Sequence, residues 1–299
     1  MTAREYPVFT VTPKAERSVR AGHPWVYGEE VTAVEGAYQN GDMVDVVSNK
    51  GRYLGTGWVN DHSKIRVRII SRNANDTFDE AFFRRRVCYA LNYRKTVMGP
   101  VDYRCCRLIF GEADQFPGLT VDRFENILVT QVLSLGMERR KDWVYRALVE
   151  LLREDGEQID AIYERNDVTI RTLEGLEQGK GFYQMEGLEQ GKGFYQMEGL
   201  RTDLSGHVTI TENGIKYDVD YIEGQKTGFF LDQKYNRQAA AKLARGRRVL
   251  DCFTHTGAFA LNAAAAGAEH VTAVDVSAFA LELAAENGKR NGLTNLDYK

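Results

Sequence analysis

The chain is short of several things that would have narrowed its biology at once. Among 299 residues there are four cysteines, Cys88, Cys105, Cys106 and Cys252, with no CxxC pair and no spacing of a disulfide framework. A reducing, cytoplasmic setting is the simplest reading, and no metal site is expected. No apolar run approaches the roughly 18 residues of a membrane span. The first twenty residues, MTAREYPVFTVTPKAERSVR, lack the apolar core of a secretion signal. A net charge of −3 argues against a generally basic nucleic-acid binder. The basic residues are nevertheless unevenly spread. Lys64 to Arg107 holds eleven Lys/Arg against four Asp/Glu, with Arg84, Arg85 and Arg86 in a row. Such a stretch can attract phosphates, and those three arginines are the candidate RNA contacts.

What is present divides by pattern into a multidomain α/β chain. Residues 1–72 read as all-β. PVFTV, DMVDVVS, RYLGTGWV and KIRVRII are β-branched or aromatic runs separated by Gly, Asn and Asp turns, as in a small barrel. Trp25, next to Pro24, reads as a core tryptophan in a turn. Residues 73–205 read as a central α+β domain. A helix is expected from about Asp76 to Val97, with Phe78, Phe82, Cys88, Tyr89 and Leu91 on its apolar face and its charges placed to suit the helix dipole. Strands follow in CCRLIFGEADQFPGLTVDRFENILVTQVLS, then a second helix from Met137. Residues 174–185 and 186–197 are both EGLEQGKGFYQM. This is a tandem duplication in a glycine-rich loop, where lengthening costs only about 0.6 kcal/mol per doubling.

Residues 206–299 carry the most specific signal. Asn213–Gly214 marks a hairpin, and a helix is expected over Asp232–Leu243. VLDCFTHTGAFALNAAAAGAEHVTAVDVS then reads as buried strand, tight turn, Ala-rich helix, second strand and an acidic residue, Asp275. The order βαβα implies a parallel, doubly wound sheet whose ligand sits beyond the carboxyl ends of its strands. A dinucleotide would want G-x-G-x-x-G, so that pyrophosphate can meet bare backbone. This turn holds one glycine, Gly257, and the strand ends on Asp251. A carboxylate there repels pyrophosphate and suits a ligand with an ammonium group. Asp275 is placed to accept from ribose hydroxyls. Cys252, next to Asp251, reads as a core residue.

These residues resemble motifs I and II of class I S-adenosylmethionine-dependent methyltransferases. GQKTGFFLDQKYNR, from Gly224 to Arg237, is similar to the segment before motif I in bacterial ribosomal RNA large-subunit methyltransferases with an N-terminal PUA domain. RAGHPWVYGEEV resembles that family's PUA signature, and CRLIFGEADQFPGLTVDRF and YERNDVTIRTLEGL resemble its central domain. The resemblance implies a PUA-like barrel, a central α+β domain and a Rossmann-like methyltransferase domain. It further implies S-adenosylmethionine as cofactor, 23S ribosomal RNA as substrate with 5-methylcytidine as product, and a homodimer. Carried over, it puts Asp251, Phe253, Thr254, Thr256 and Gly257 around the methionine part, Asp275 at the ribose, and Lys226, Thr227, Phe229 and Asp232 around the pocket.

Methylating cytosine C5 needs a cysteine thiolate at C6 and a base for the C5 proton. The family's Asp-Pro-Pro motif does not occur here, and the chain stops at NGLTNLDYK. The expectation is therefore an incomplete methyltransferase domain, inactive alone, with its nucleophile beyond residue 299. The alternative is a non-catalytic RNA-binding protein with a vestigial cofactor fold. A small-molecule or protein methyltransferase fits the first 107 residues poorly, and a nicotinamide enzyme fits the turn poorly.

Overall fold

The computed structural model describes residues 5–186, 194–195 and 199–299. The chain divides into two compact units. One gathers Met1–Thr96, Leu108–Val121 and Thr130–Thr202; the other gathers Val97–Arg107, Asp122–Val129 and Asp203–Lys299.

The first unit begins with β1 (Val8–Val11), α1 (Pro13–Arg20), β2 (Trp25–Tyr27), β3 (Val31–Glu35), β4 (Met43–Ser48), β5 (Tyr53–Val59) and β6 (Ile65–Ser71). Its six-stranded sheet runs β2-β6-β5-β4-β1-β3, with β1 parallel to β4. Bulges in β4–β5 and β5–β6 bend the sheet around its core. That core holds Phe9, Val11, Val26, Val44, Val59 and Val67, each at most 1% exposed, under Ala15 and Val19 of α1. Gly57 is forced: a Cβ there would lie 2.0 Å from the Arg68 carbonyl oxygen. Trp25 departs from the core-turn reading. It lies half-buried on edge strand β2, its Nε1 donating to Glu112 Oε1 at 2.9 Å. An indole N–H needs a polar partner, and this one is supplied from 87 residues away.

Next come α2 (Glu80–Val97), α3 (Pro100–Tyr103), β7 (Cys105–Phe110), β8 (Leu119–Phe124), β9 (Ile127–Val132), α4 (Leu135–Glu138), α5 (Lys141–Glu154), β10 (Ala161–Asn166) and β11 (Gly179–Phe182). The strands form a sheet ordered β11-β10-β9-β8-β7. Helix α2 buries Phe82, Phe83, Val87 and Leu91, but Tyr89 is 60% exposed. Phe83, not Tyr89, completes the apolar face. The first copy of the duplication lies within the described residues. The second does so only through the short pair β12 (Met185–Glu186) and β13 (Phe194–Tyr195).

The second unit is built on β14 (His207–Glu212), β15 (Ile215–Asp220), α6 (Lys234–Ala244), β16 (Arg248–Cys252), α7 (Ala258–Ala265), β17 (His270–Val274), α8 (Ala278–Arg290) and β18 (Leu296–Tyr298). Asn213 and Gly214 turn the β14–β15 hairpin with φ of 55° and 79°, the left-handed pair a tight hairpin demands. Strands β16, β17 and β18 form a parallel sheet in that order. One face packs on the alanines of α7, with Val271 and Ala273 fully buried. The other face is open among the described residues. Strand β16 is therefore not the buried strand its composition suggests: Leu250 is 64% exposed and Cys252 is exposed, so the core reading of Cys252 is corrected. Alternation put Leu250 and Cys252 on one face, but composition could not say that nothing covers it.

Candidate functional site

A cavity of about 520 Å³ opens just beyond the carboxyl ends of β16 and β17. Three segments wall it: the end of β15 with the turn that follows, the turn after β16, and the start of α8. The β16 turn is conformationally demanding, with φ of 60° at Phe253 and 53° at His255. Gly257 begins α7 at φ 81°, and a Cβ there would meet the Ala284 Cβ at 2.9 Å. Glycine is required here by the approach of α8 to α7, whatever ligand the turn meets.

Asp275 ties two of these walls together. Its Oδ1 accepts from the Ser277 N–H and its Oδ2 from the His255 N–H, both at 2.9 Å. The Ser277 and His255 amides hold its carboxyl below the usual aspartate range. Asp251 is placed differently. It does not line the cavity; its Oδ2 accepts from Thr254 Oγ1 at 2.5 Å and from the Ala260 N–H at 3.0 Å. Burial pushes its pKa up, against the pull of those two bonds. Asp251 thus organises the turn and the first turn of α7, where a carboxylate suits the helix dipole.

Of the residues singled out in the sequence, the structure brings Phe253, Thr256 and Asp275 together on the cavity wall. Thr254 is buried and bonded to Asp251. Thr227 points into the protein, its Oγ1 donating at 2.6 Å to Asp122, which also accepts from Arg107 Nε and Nη2 at 2.7 and 2.9 Å. Phe229 is a core residue, packed on Tyr217 at 5.1 Å under the Arg237 guanidinium at 4.5 Å. Lys226 sets its ammonium 4.6 Å from the Phe230 ring centre, and Asp232 is exposed beside Gln233.

The sequence reading passed over Phe230, His255, Asp218, Asp220, Glu223 and Phe279, all of which line the cavity. Phe230, next to the expected Phe229, meets the His255 ring edge-on at 5.7 Å. Burial lowers the His255 pKa, with Asp275 opposing, so the imidazole is neutral near pH 7. Period-two alternation in β15 carries a signal for the acids. Ile215, Tyr217 and Val219 are buried, which turns Asp218 and Asp220 to the other face. Among the described residues the wall therefore holds four acidic residues, Asp218, Asp220, Glu223 and Asp275, and no lysine or arginine. Such a lining attracts a cation and repels a pyrophosphate. None of the four cysteines lines it, and burial raises the Cys105 pKa well above a normal thiol's. Among the described residues no group of His, Cys, Asp and Glu could hold a metal, and no helix is long and apolar enough to cross a membrane.

The basic stretch is less basic in space than in sequence. Arg84 pairs with Glu154 at 2.7 Å and Arg85 with Asp76 at 3.2 Å. Arg86 lies over the Phe82 ring at 4.7 Å and donates to the Ile70 carbonyl at 2.9 Å. Arg94 and Arg107 pair with Asp114 and Asp122.

Comparison with known proteins finds matches to two families. Residues 9–72 match the PUA-like domain family, and residues 189–297 match the family of S-adenosylmethionine-dependent methyltransferases. The cofactor of that second family is S-adenosylmethionine. The chain is 38% identical over 278 residues to ribosomal RNA large subunit methyltransferase I of Pseudoalteromonas translucida, covering 93% of this chain and 65% of that one. It is 40% identical over 284 residues to the protein of the same name from Photobacterium profundum, again covering 93% and 65%. The chain thus spans a little under two thirds of these relatives' length. Among solved structures, a candidate S-adenosylmethionine-dependent methyltransferase from Streptococcus mutans superposes with a TM-score of 0.74 at 21% identity, covering 97% of this chain and 69% of that one. A candidate methyltransferase complexed with SAH gives 0.76, also at 21% identity, with the same coverage. At that identity both speak to the fold alone.

Proposed function

We propose that this chain is the RNA-recognition and cofactor-binding part of a ribosomal RNA large-subunit methyltransferase acting on 23S RNA. The observation that carries the cofactor half is the acid-lined cavity beyond β16 and β17, in the segment matched to S-adenosylmethionine-dependent enzymes. S-adenosylmethionine carries a sulfonium and an ammonium, both suited to that wall, and its volume suits a pocket of this size. When bound, it supplies an electrophilic methyl group. Asp275 would hold the ribose hydroxyls while its own amide bonds keep it ionised. Phe230, Phe253 and Phe279 offer apolar faces to the adenine. Asp251, Thr254 and Gly257 would act by shaping the turn, and Thr227 and Phe229 by fixing the segment before it. Lys226 and Asp232 lie at its exposed border.

Residues 1–72 and 73–205 would form the RNA-facing part, and 206–299 the cofactor part. Arg84 and Arg85 are half free to exchange their carboxylate partners for phosphates; Arg86 is committed to Phe82 and Ile70. The proposed product is 5-methylcytidine, formed in the cytoplasm by a homodimer. That chemistry needs a thiolate beside the base, and no cysteine here faces the cavity, so these residues alone should bind without turning over. Transfer of labelled methyl groups to undermethylated 23S RNA tests this. Labelling by this chain would show that the cysteine argument is mistaken, and labelling of a base other than cytosine would overturn the product.

A further inference from the structure

The second unit carries two surfaces of opposite charge. Its cavity wall is acidic and repels phosphate, so RNA brought to that wall needs cations nearby to hold its backbone. Gln233 to Leu250 holds six Lys/Arg and no Asp/Glu. Two of the six are buried and committed, Lys234 to Asp102 at 3.1 Å and Arg237 to Glu212 at 2.6 Å. The other four, Lys242, Arg245, Arg247 and Arg248, are exposed where α6 turns into β16. Their backbone is fixed. The Gly246 N–H donates to the Gly267 carbonyl at 2.8 Å, and the Arg247 carbonyl accepts from the Glu269 N–H at 2.9 Å. Their side chains are free: among the described residues none of the four forms an ion pair or a side-chain hydrogen bond. A groove of about 650 Å³ adjoins them, with Gln238, Lys242 and Arg245 of the α6 end on one side and Asn262 and Ala265 of α7 on the other. Among the described residues no acid lines it.

We propose that this corner grips the phosphodiester backbone of RNA through Lys242, Arg245, Arg247 and Arg248. It rests on the ribosomal RNA reading above and extends the RNA-facing surface into residues 206–299. Lys242 and Arg245 also suit the carboxyl end of α6, but Arg247 and Arg248 lie past that helix and gain little from its dipole. Arg84, Arg85 and Arg86 must each give up a partner to meet a phosphate. These four release only counterions. Arg248 opens β16, and the cavity lies beyond the other end of that strand, about 13 Å away at about 3.3 Å per residue. One RNA chain can thus be held at the basic end while it presents a base at the acidic one.

Binding of a 23S RNA fragment to the 299-residue chain, followed by fluorescence anisotropy against KCl, tests this. Lys242→Ala, Arg245→Ala, Arg247→Ala and Arg248→Ala together should reduce the slope of log K on log salt by about 3, since each neutralised phosphate contributes about 0.7–0.9. Tm should not change, because all four side chains are exposed and unpaired. Should Tm fall, Arg247→Ala with Arg248→Ala alone should still reduce the slope by about 1–2. Lysine at 245, 247 and 248 should keep the wild-type slope, because a point charge is enough for a phosphate. An unchanged slope in the alanine variants, with the wild-type chain binding RNA, would overturn the role of this corner and leave the ribosomal RNA reading standing. A slope lost equally in the lysine variant would also overturn it, since charge would not be what matters. No RNA binding by the wild-type chain would overturn both.

Discussion

The two sheets at opposite ends of the sequence look alike as strings and differ as objects. Both are read from short β-branched runs. The N-terminal sheet wraps a core in which Phe9, Val44 and Val67 are at most 1% exposed. The C-terminal sheet leaves Leu250 at 64%, and the turns after its strands leave Phe253 at 86% and Val276 at 98%. An apolar residue in a strand is therefore core in one case and open surface in the other. What differs is whether another layer of protein is present, which local sequence does not encode.

Substitution can break or sharpen that contrast. The largest effect is expected from Gly57→Ala, whose Cβ would lie 2.0 Å from a carbonyl oxygen of the neighbouring strand. A loss above about 4 kcal/mol in denaturant unfolding is expected, because strand backbones must separate. Phe9→Ala should cost about 3–5 kcal/mol, whereas Leu250→Ala should stay within about 0.5 kcal/mol. If Leu250→Ala costs as much as Phe9→Ala, the open face is covered in solution.

At the site, Asp275→Ala should weaken S-adenosylmethionine binding by about 1–3 kcal/mol, the cost of losing hydrogen bonds to buried hydroxyls. Asp251→Asn should lower stability before it lowers affinity, because Asp251 bonds the turn and α7 and lies off the cavity wall. Equal affinity losses for the two would place both at the ligand.

The triple change of Arg84, Arg85 and Arg86 to alanine should reduce the salt slope of RNA binding by about 1–2, since each neutralised phosphate contributes about 0.7–0.9. A drop above about 2 would mean that all three arginines meet phosphates and that Arg86 gives up Phe82 for RNA.

The smallest effect concerns pH. The His255 pKa is depressed in the fold, so the unfolded chain binds its proton more readily. Stability should then be full above about pH 6.5 and decline as pH falls below that value. His255→Gln should flatten that decline, read as Tm between pH 7 and 5. An unchanged slope would remove His255 from the account.

Much of this was legible residue by residue. Asn213–Gly214 gave the hairpin, the turn ending in Gly257 gave the strand-to-helix crossing, and Asp275 gave the end of β17. What was hidden came from distance. Trp25 finds its partner in Glu112, Arg84 in Glu154, and Thr227 in Asp122, each separated by 70 residues or more. A run of arginines reads as a basic patch only while its distant acids are unseen. Asp218 and Asp220 were hidden for another reason. They lie on β15, which the sequence shows as one arm of the Asn213–Gly214 hairpin, and its polar face was not followed. Asp251 was the converse case: its position in the motif was visible, but not that Thr254 and Ala260 take its oxygen.

Isothermal titration of this chain with S-adenosylmethionine, with NADH as control, tests the central claim most directly. Saturable binding of S-adenosylmethionine and none of NADH is the predicted result, because the wall of Asp218, Asp220, Glu223 and Asp275 favours a cation. NADH binding, or no S-adenosylmethionine binding up to millimolar concentration, would contradict it.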